Sequence, residues 1–487
     1  MDPSPVDPHR TVADRQAAGK DARLRAPLES HAFWQPPSER PDPVALLEAQ
    51  NKTREPDLVP VRHGRMMVSP FTFYRGSAAI MASDLAATPT AGLTVQLCGD
   101  AHLSNFGVFA SPERQLLFDL NDFDETLPGP FEYDLKRLAA SFAIAGRNNR
   151  FEVADIRQSV MTVAESYRSA MAEFAHMRTL DIWYAKMSEH DVVAGMERMA
   201  RTVSAAAKDG KVGRSAARGE TVSLERGEEV LRKARSRTSL QALSKLTRVV
   251  DGRQQIISQP PVLIPLRELE LLQDVDAPDL EDVVRQVYAR YRSTLNDTRR
   301  QLLDRFTIVD VARKVVGVGS VGTRAFIVLM EGRNETDPLF LQVKEATRSV
   351  LEAHLPKSEY DNCGERVVQG QQLMQSASDI FLGWSAGVQT DRYYYWRQLR
   401  DMKGAADVEA MVPAGLTYYA GICGWTLARA HARSGDPVAL AAYLGSKRKF
   451  DRAIADFAET YADQNERDYA AFRDAISSGR LEAHEGV

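Results

Sequence analysis

Apolar residues recur at two periods along this chain, and the places where the period changes divide it. Helical spacing marks 78–86, 132–145 (Leu135, Leu138, Ala139 and Phe142 on one face), most of 151–245, then 280–306, 364–375 and about 405–470. Strand-like runs occupy 93–98 and a hairpin of 107–110 and 115–120 that turns on Ser111-Pro112-Glu113-Arg114. A second hairpin, 246–258, turns on Asp251-Gly252, a dipeptide suited to positive φ at both corners. Four more strands, 313–318, 325–330, 339–344 and 393–399, make 311–399 the β-rich part of an otherwise helical chain. The pattern predicts an α+β fold. Residues 1–60 are rich in proline and charge, with short amphipathic pieces, and are expected to form a partly disordered arm over the surface.

With 487 residues the chain exceeds one average core, so two or three packed units are expected. A hydrophobic content of 44% and a charged content of 26% are ordinary for a globular protein, and no apolar run is long enough for a membrane span. A net charge of −4 gives no general attraction to nucleic acid or anionic membrane. One basic run, 232–237 (RKARSR) with Lys245 and Arg248, reads as a solvated helix face. Cys98, Cys363 and Cys423 are widely spaced and form no C-x-x-C pair, which argues for reduced thiols in a cytoplasmic protein.

Chemistry concentrates in 97–138. Asp100, His102 and Asn105 form a D-x-H-x-x-N run, and Asp119, Asp122, Asp124 and Glu125 follow one hairpin later. Carboxylates this dense among Leu97, Phe106, Val108, Leu117 and Phe118 are costly unless cations neutralise them. An all-oxygen set of Asp and Asn suits magnesium, which usually arrives with a phosphate. Either Asp122 or Asp119 can be the main metal carboxylate. His102 has no second histidine at ligand spacing, so it fits a loop-orienting partner better than a metal ligand.

Two hundred residues later, Gly317, Gly319 and Gly322 form a G-x-G-x-x-G between two strands rather than before a helix. That context fits a glycine hairpin over nucleotide phosphates, not a dinucleotide-binding turn. Lys344 ends an apolar strand 22 residues after Gly322, where a lysine can grip the α- and β-phosphates. Glu365 on the following helix is the expected partner of Lys344, with Glu352 as the rival. Arg75, Arg397 and Arg400 are placed either to meet phosphate or to satisfy carbonyls.

The segments SPFTFYRG, CGDAHLSNFG, FDLNDFDETLPGPFEYDLKRLA, VVGVGSVGTRA, LQVKEA and LARAHARSGD resemble the bacterial family called domain of unknown function 2252, from about residue 55 to 475. A more distant resemblance is to aminoglycoside and choline kinases of the protein-kinase-like fold, which carry H-G-D-x-H-x-x-N, an I-D-F segment and a Y-D-L-A. Here Gly99 to Asn105 match the first, with Cys98 in the place of His. Asp122-Phe123 match the second, and Tyr133-Asp134-Leu135 the third. The resemblance implies Asp100 as catalytic base, Asn105 and Asp122 as magnesium ligands, and His102 and Asp134 as supports of the loop. It implies a two-lobed fold in permuted order: the arm (1–60), a catalytic-loop part (61–190) and a charged helical part (191–306) of the large lobe, a small β lobe (307–403), and C-terminal helices (404–487). The segment 398–404 would be the hinge, and the helix ending at His431-Ala432-Arg433 would pack beneath the catalytic loop.

The function this implies is ATP- and magnesium-dependent phosphoryl transfer to a hydroxyl of an acceptor that the sequence does not name. AMP transfer by the same fold and nucleotide binding without catalysis are the alternatives. A metal-dependent phosphoesterase needs histidine ligands that the nine histidines do not supply in pattern.

Overall fold

The period-two pattern of the β-rich region builds one antiparallel sheet whose two faces are both covered. In this computed structural model, which describes residues 10–208, 214–272, 280–315, 317–388, 391–399 and 401–486, six strands lie side by side. Their order is Gly383–Ala386, Tyr393–Gln398, Pro338–Ala346, Ala325–Glu331, Thr307–Lys314 and Leu263–Pro265. The register pairs Val311 with Val328 and Val328 with Leu341, and Val343 with Trp396. These side chains share one face with Tyr291 and Leu295, and Tyr291 stacks on Trp396 at 4.4 Å. Ala312, Ile327, Leu329 and Phe340 point to the other face, against Ala242, Leu246 and Ile256. Along the Phe340 face the alternation continues through Gln342 and Lys344, and on the neighbouring strand through Tyr395 and Arg397. There the sheet surface changes from apolar to polar.

The helical part packs around one large core. Phe131–Asn148, Val153–Phe174, Pro413–Ser434 and Lys449–Ser477 contribute most of it. The helix expected over 280–306 is two, Leu280–Thr294 and Asp297–Leu303, because Asn296 caps the second by accepting from the Arg299 amide at 3.0 Å. The strand Gly383–Ala386 was not visible in the periodicity. It is short, and among the described residues it pairs only with Tyr393–Gln398.

The first sixty residues contain more regular structure than the composition suggested. Val12–Arg25 starts in a capping box between Thr11 and Asp14 and packs on Pro437–Leu444, where Arg15 reaches Asp436 at 2.6 Å. Arg40 joins Asp84 at 2.7 Å and Asp468 at 2.6 Å, so the N-terminal region is fastened to the C-terminal helix by a shared guanidinium. No helix among the described residues is long and apolar enough to cross a membrane, and the three cysteines are unpaired.

One buried side chain joins the β-rich region to the 97–138 segment. Arg366, on the helix Cys363–Met374, donates to the carbonyl of Thr126 at 2.5 Å and to those of Asp124 and Thr347 at 2.8 Å. Its buried guanidinium supplies the donors for three carbonyls of two different segments, that of Thr126 fully buried. Arg366→Met should therefore cost about 3–5 kcal/mol of unfolding free energy in urea titration, well above the effect of an exposed substitution.

Candidate active site

The D-x-H-x-x-N run is a tight loop fixed from below. Gly99 has φ of +83°, and a Cβ there would lie 2.2 Å from the carbonyl oxygen of Glu125, so only glycine lets the two segments approach. The next support is Asp134 in the first turn of Phe131–Asn148. Its carboxylate accepts from the amides of Cys98 at 2.8 Å and Gly99 at 3.0 Å. His431 Nε2 lies 3.2 Å from Asp134, and its Nδ1 lies 2.8 Å from the Tyr167 hydroxyl. Tyr419 donates to the carbonyls of Leu103 and Phe106. The helix Pro413–Ser434 thus lies under the loop.

On this platform Asp100 is half-buried and accepts from Arg137 Nε at 2.5 Å, with His102 Nε2 at 3.7 Å. Burial raises the Asp100 carboxyl above its ordinary value against the opposing pull of Arg137. Burial, with Arg75 and Arg137 nearby, pushes His102 well down, so its ring is neutral. Asn105 donates from Nδ2 to the Asp100 carbonyl at 2.7 Å, which leaves its amide oxygen for another partner.

The acidic turn comes next. Lys344, only 3% exposed, places Nζ 2.6 Å from Asp124 and 3.9 Å from Asp122. Asp124 also accepts from the Tyr395 hydroxyl at 2.6 Å and from Ser320 at 3.2 Å. Burial opposes its charge, but Lys344 and the Tyr395 hydrogen bond win and hold its carboxyl down at about 2. Burial likewise works against the Lys344 ammonium, and Asp122 and Asp124 outweigh it, raising its pKa. Asp122 moves the other way: burial and the Asp124 charge raise it, and Lys344 and Arg397 only partly compensate.

Above these residues lies the glycine-rich loop. It connects Thr307–Lys314 to Ala325–Glu331, and residues of the N-terminal region hold it. Arg54 donates to the Val321 carbonyl, Glu55 N to the Gly322 carbonyl at 2.7 Å, and Arg65 to the Gly317 carbonyl at 2.6 Å. Gly322 has φ of +89°, and a Cβ there would come within 3.0 Å of Arg54 Cβ. Gly317, Gly319 and Ser320 of the loop and Asp100, His102, Asn105, Asp122, Asp124 and Glu125 below it line a single cavity of about 410 Å³. Arg54 and Arg75 line it as well, and the Nε atom of each is buried without a hydrogen-bond partner among the described residues.

Not every expected residue reaches that cavity. Lys344 stands behind Asp124, and Gly322 anchors the loop beside Arg54. Asp119 is corrected: its carboxylate is 1% exposed, pairs with Arg429 and accepts from Ser376 N and Oγ at 2.8 Å, so it fastens the strand Leu116–Leu120 to the helices. Glu365 is not the partner of Lys344, whose amine is taken by Asp124. Glu352 is not either, because it closes a capping box with Ser349. Arg400 falls outside the described residues. Asp124, named above only as part of an acidic cluster, is the partner of Lys344, and Arg54 is a further residue of the cavity. No local signal marks Arg54, whose role comes from packing against a loop 267 positions away.

A sequence profile of the family described as "Uncharacterized protein conserved in bacteria (DUF2252)" matches residues 54–475. The chain belongs to this family. No curated protein and no solved structure matches the chain.

Glu125 generates a pH prediction. Burial raises its carboxyl from 4.5 to about 7, although the Val350 amide, donating at 2.7 Å, favours the charged form. The folded protein thus binds more protons than the unfolded chain between those values, and stability falls as pH rises through that window. Glu125→Gln cannot ionise. Its melting temperature should fall less than that of wild type between about pH 5 and about pH 8, by a few degrees. The profile should not become flat, since Glu132 is raised to about 7 by the same burial effect.

Proposed function

We propose that this protein is an ATP- and magnesium-dependent phosphotransferase of protein-kinase-like fold in permuted order, acting on a hydroxyl of its acceptor. The observation that carries the reading is the shared cavity: two motifs some two hundred residues apart, each weak by itself, face one space under a glycine-rich loop. The volume is that of a small-molecule site. Strand, glycine hairpin, strand, strand with lysine and then helix is also the order of parts in a kinase small lobe.

The donor set fits magnesium in one way. Among the described residues no three of His, Cys, Asp or Glu converge as a cage. Asp122 and the Asn105 amide oxygen offer two oxygens at one cavity, and magnesium commonly binds through one or two protein oxygens with phosphate and water completing the shell. When bound, the ion neutralises charge on the transferred phosphoryl group. The chain's own residues do the remainder. Asp100, held at 2.5 Å by Arg137, orients the acceptor hydroxyl and takes its proton. Asp124, kept ionised by Lys344, fixes the acidic turn that carries Asp122, and the glycine-rich loop covers the space. Arg54 and Arg75 offer unmatched guanidinium nitrogens to phosphate oxygens.

The test is magnesium-dependent turnover with α- and γ-labelled ATP. Wild type should consume ATP, and Asp100→Asn should lower the rate by about 10²–10⁴-fold with nucleotide binding retained. Asp122→Ala should abolish the magnesium dependence of binding. Release or transfer of the γ-label supports phosphoryl transfer, and transfer of the α-label assigns AMP transfer instead. Absence of magnesium-dependent ATP binding in wild type refutes the reading.

A further inference from the structure

The basic run at 232–237 faces a second cavity. It measures about 580 Å³ and lies where the strand Tyr393–Gln398 leaves the large sheet, with Lys233, Arg237, Lys245, Arg397 and Lys403 in its wall. Among the described residues no carboxylate lines it, and Gln241, Gln342, Gln398 and Ser236 supply neutral hydrogen-bonding groups. Four cations and the Lys403 amine meet here with no carboxylate in the wall, and Arg397 and Lys403 are half-buried, where repulsion is least screened.

Those two are the informative ones. Arg397 donates to Gln342 at 3.0 Å and to the Asn121 carbonyl at 3.2 Å, and its guanidinium lies 5.6 Å from the Tyr395 ring; every one of these partners is neutral. The Lys403 amine makes no ion pair among the described residues. Burial, then Arg397, pushes it down to about 7. The nearest carboxylates are committed elsewhere: Asp379 to the amide and side chain of Gln398, and Asp401 to Arg114 at 2.5 Å. Arg237 spends one Nη on the Lys403 carbonyl at 2.7 Å, and Lys233 pairs with Glu229 at 2.7 Å on the solvent side.

We propose that this cavity binds phosphate groups of a substrate, with Arg397 and Lys403 at its floor and Lys233, Arg237 and Lys245 at its rim. A multiply charged anion of several phosphates matches this volume, the four cations and a lysine amine that a bound anion would protonate. A single carboxylate would leave most of them unmatched. Arg397 carries the connection to the first cavity, because the same side chain feels the charges of Asp122 and Asp124. The proposal rests on the phosphotransferase reading only for the source of the phosphates: the tail of the nucleotide, or a phosphorylated acceptor.

Inorganic tripolyphosphate in EDTA is the probe, measured by calorimetry on the full chain, with citrate as the control anion. Wild type should bind tripolyphosphate in preference to citrate. Lys403→Gln and, separately, the exposed Arg237→Gln should each weaken it about tenfold, while the exposed Arg178→Gln, outside the cavity, leaves it intact. Melting curves show whether Lys403→Gln folds, and Arg237→Gln carries the test if it does not. ATP binding lost together with tripolyphosphate binding assigns the site to the nucleotide tail. ATP and tripolyphosphate binding together assign it to a phosphorylated acceptor. No binding by wild type, equal binding of citrate, or equal binding by both basic-residue variants overturns the proposal. All of these results are independent of whether ATP is turned over.

Discussion

The ion pair between Lys344 and Asp124 is the interaction on which the rest of the site depends. A buried amine and a half-buried carboxylate at 2.6 Å are each expensive to desolvate alone, and together they offset that cost only when their remaining hydrogen-bonding positions are filled. Here two side chains fill those of the carboxylate, and a third fixes its backbone. Tyr395 comes from the neighbouring strand, Ser320 from the glycine-rich loop, and Arg366 holds the Asp124 backbone from the helix Cys363–Met374. Sheet, loop and acidic turn therefore have one shared electrostatic centre.

Much of the scaffold was legible in the sequence because it follows local rules. The helix Phe131–Asn148, both hairpins, and the strands Ala325–Glu331 and Pro338–Ala346 lie within a residue or three of their periodic patterns. Asp251-Gly252 takes positive φ at both positions, as its turn requires. The strand Thr307–Lys314 starts and ends earlier than expected, and Gly317, Val318 and Gly319 after it belong to the loop.

What was not legible depends on which way a side chain turns once both faces of its element are covered. Leu116–Leu120 is buried throughout, so alternation cannot tell whether Asp119 looks to the cavity or to Arg429. On the helix Cys363–Met374, neighbours are separated by about 100° around the axis, and that step puts Arg366 rather than Glu365 against the acidic turn. The N-terminal region fails differently: its helices are fixed by partners more than four hundred residues away, such as Asp436 for Arg15. A net charge of −4 likewise conceals a segregation: Asp100, Asp122, Asp124 and Glu125 gather at one cavity, and every charged side chain lining the other is basic.

The order of parts has a consequence during synthesis. Asp124 leaves the ribosome 220 residues before Lys344. At ordinary elongation rates that is an interval of about 10–45 s. Throughout it the acidic turn has no amine to face, and solvent is the only environment in which its charges are tolerable. The large helical core also cannot be completed early, since Pro413–Ser434 and Lys449–Ser477 emerge later still. The nascent chain therefore keeps this acidic turn wet while the sheet is made, and the site closes only after nearly the whole polypeptide exists.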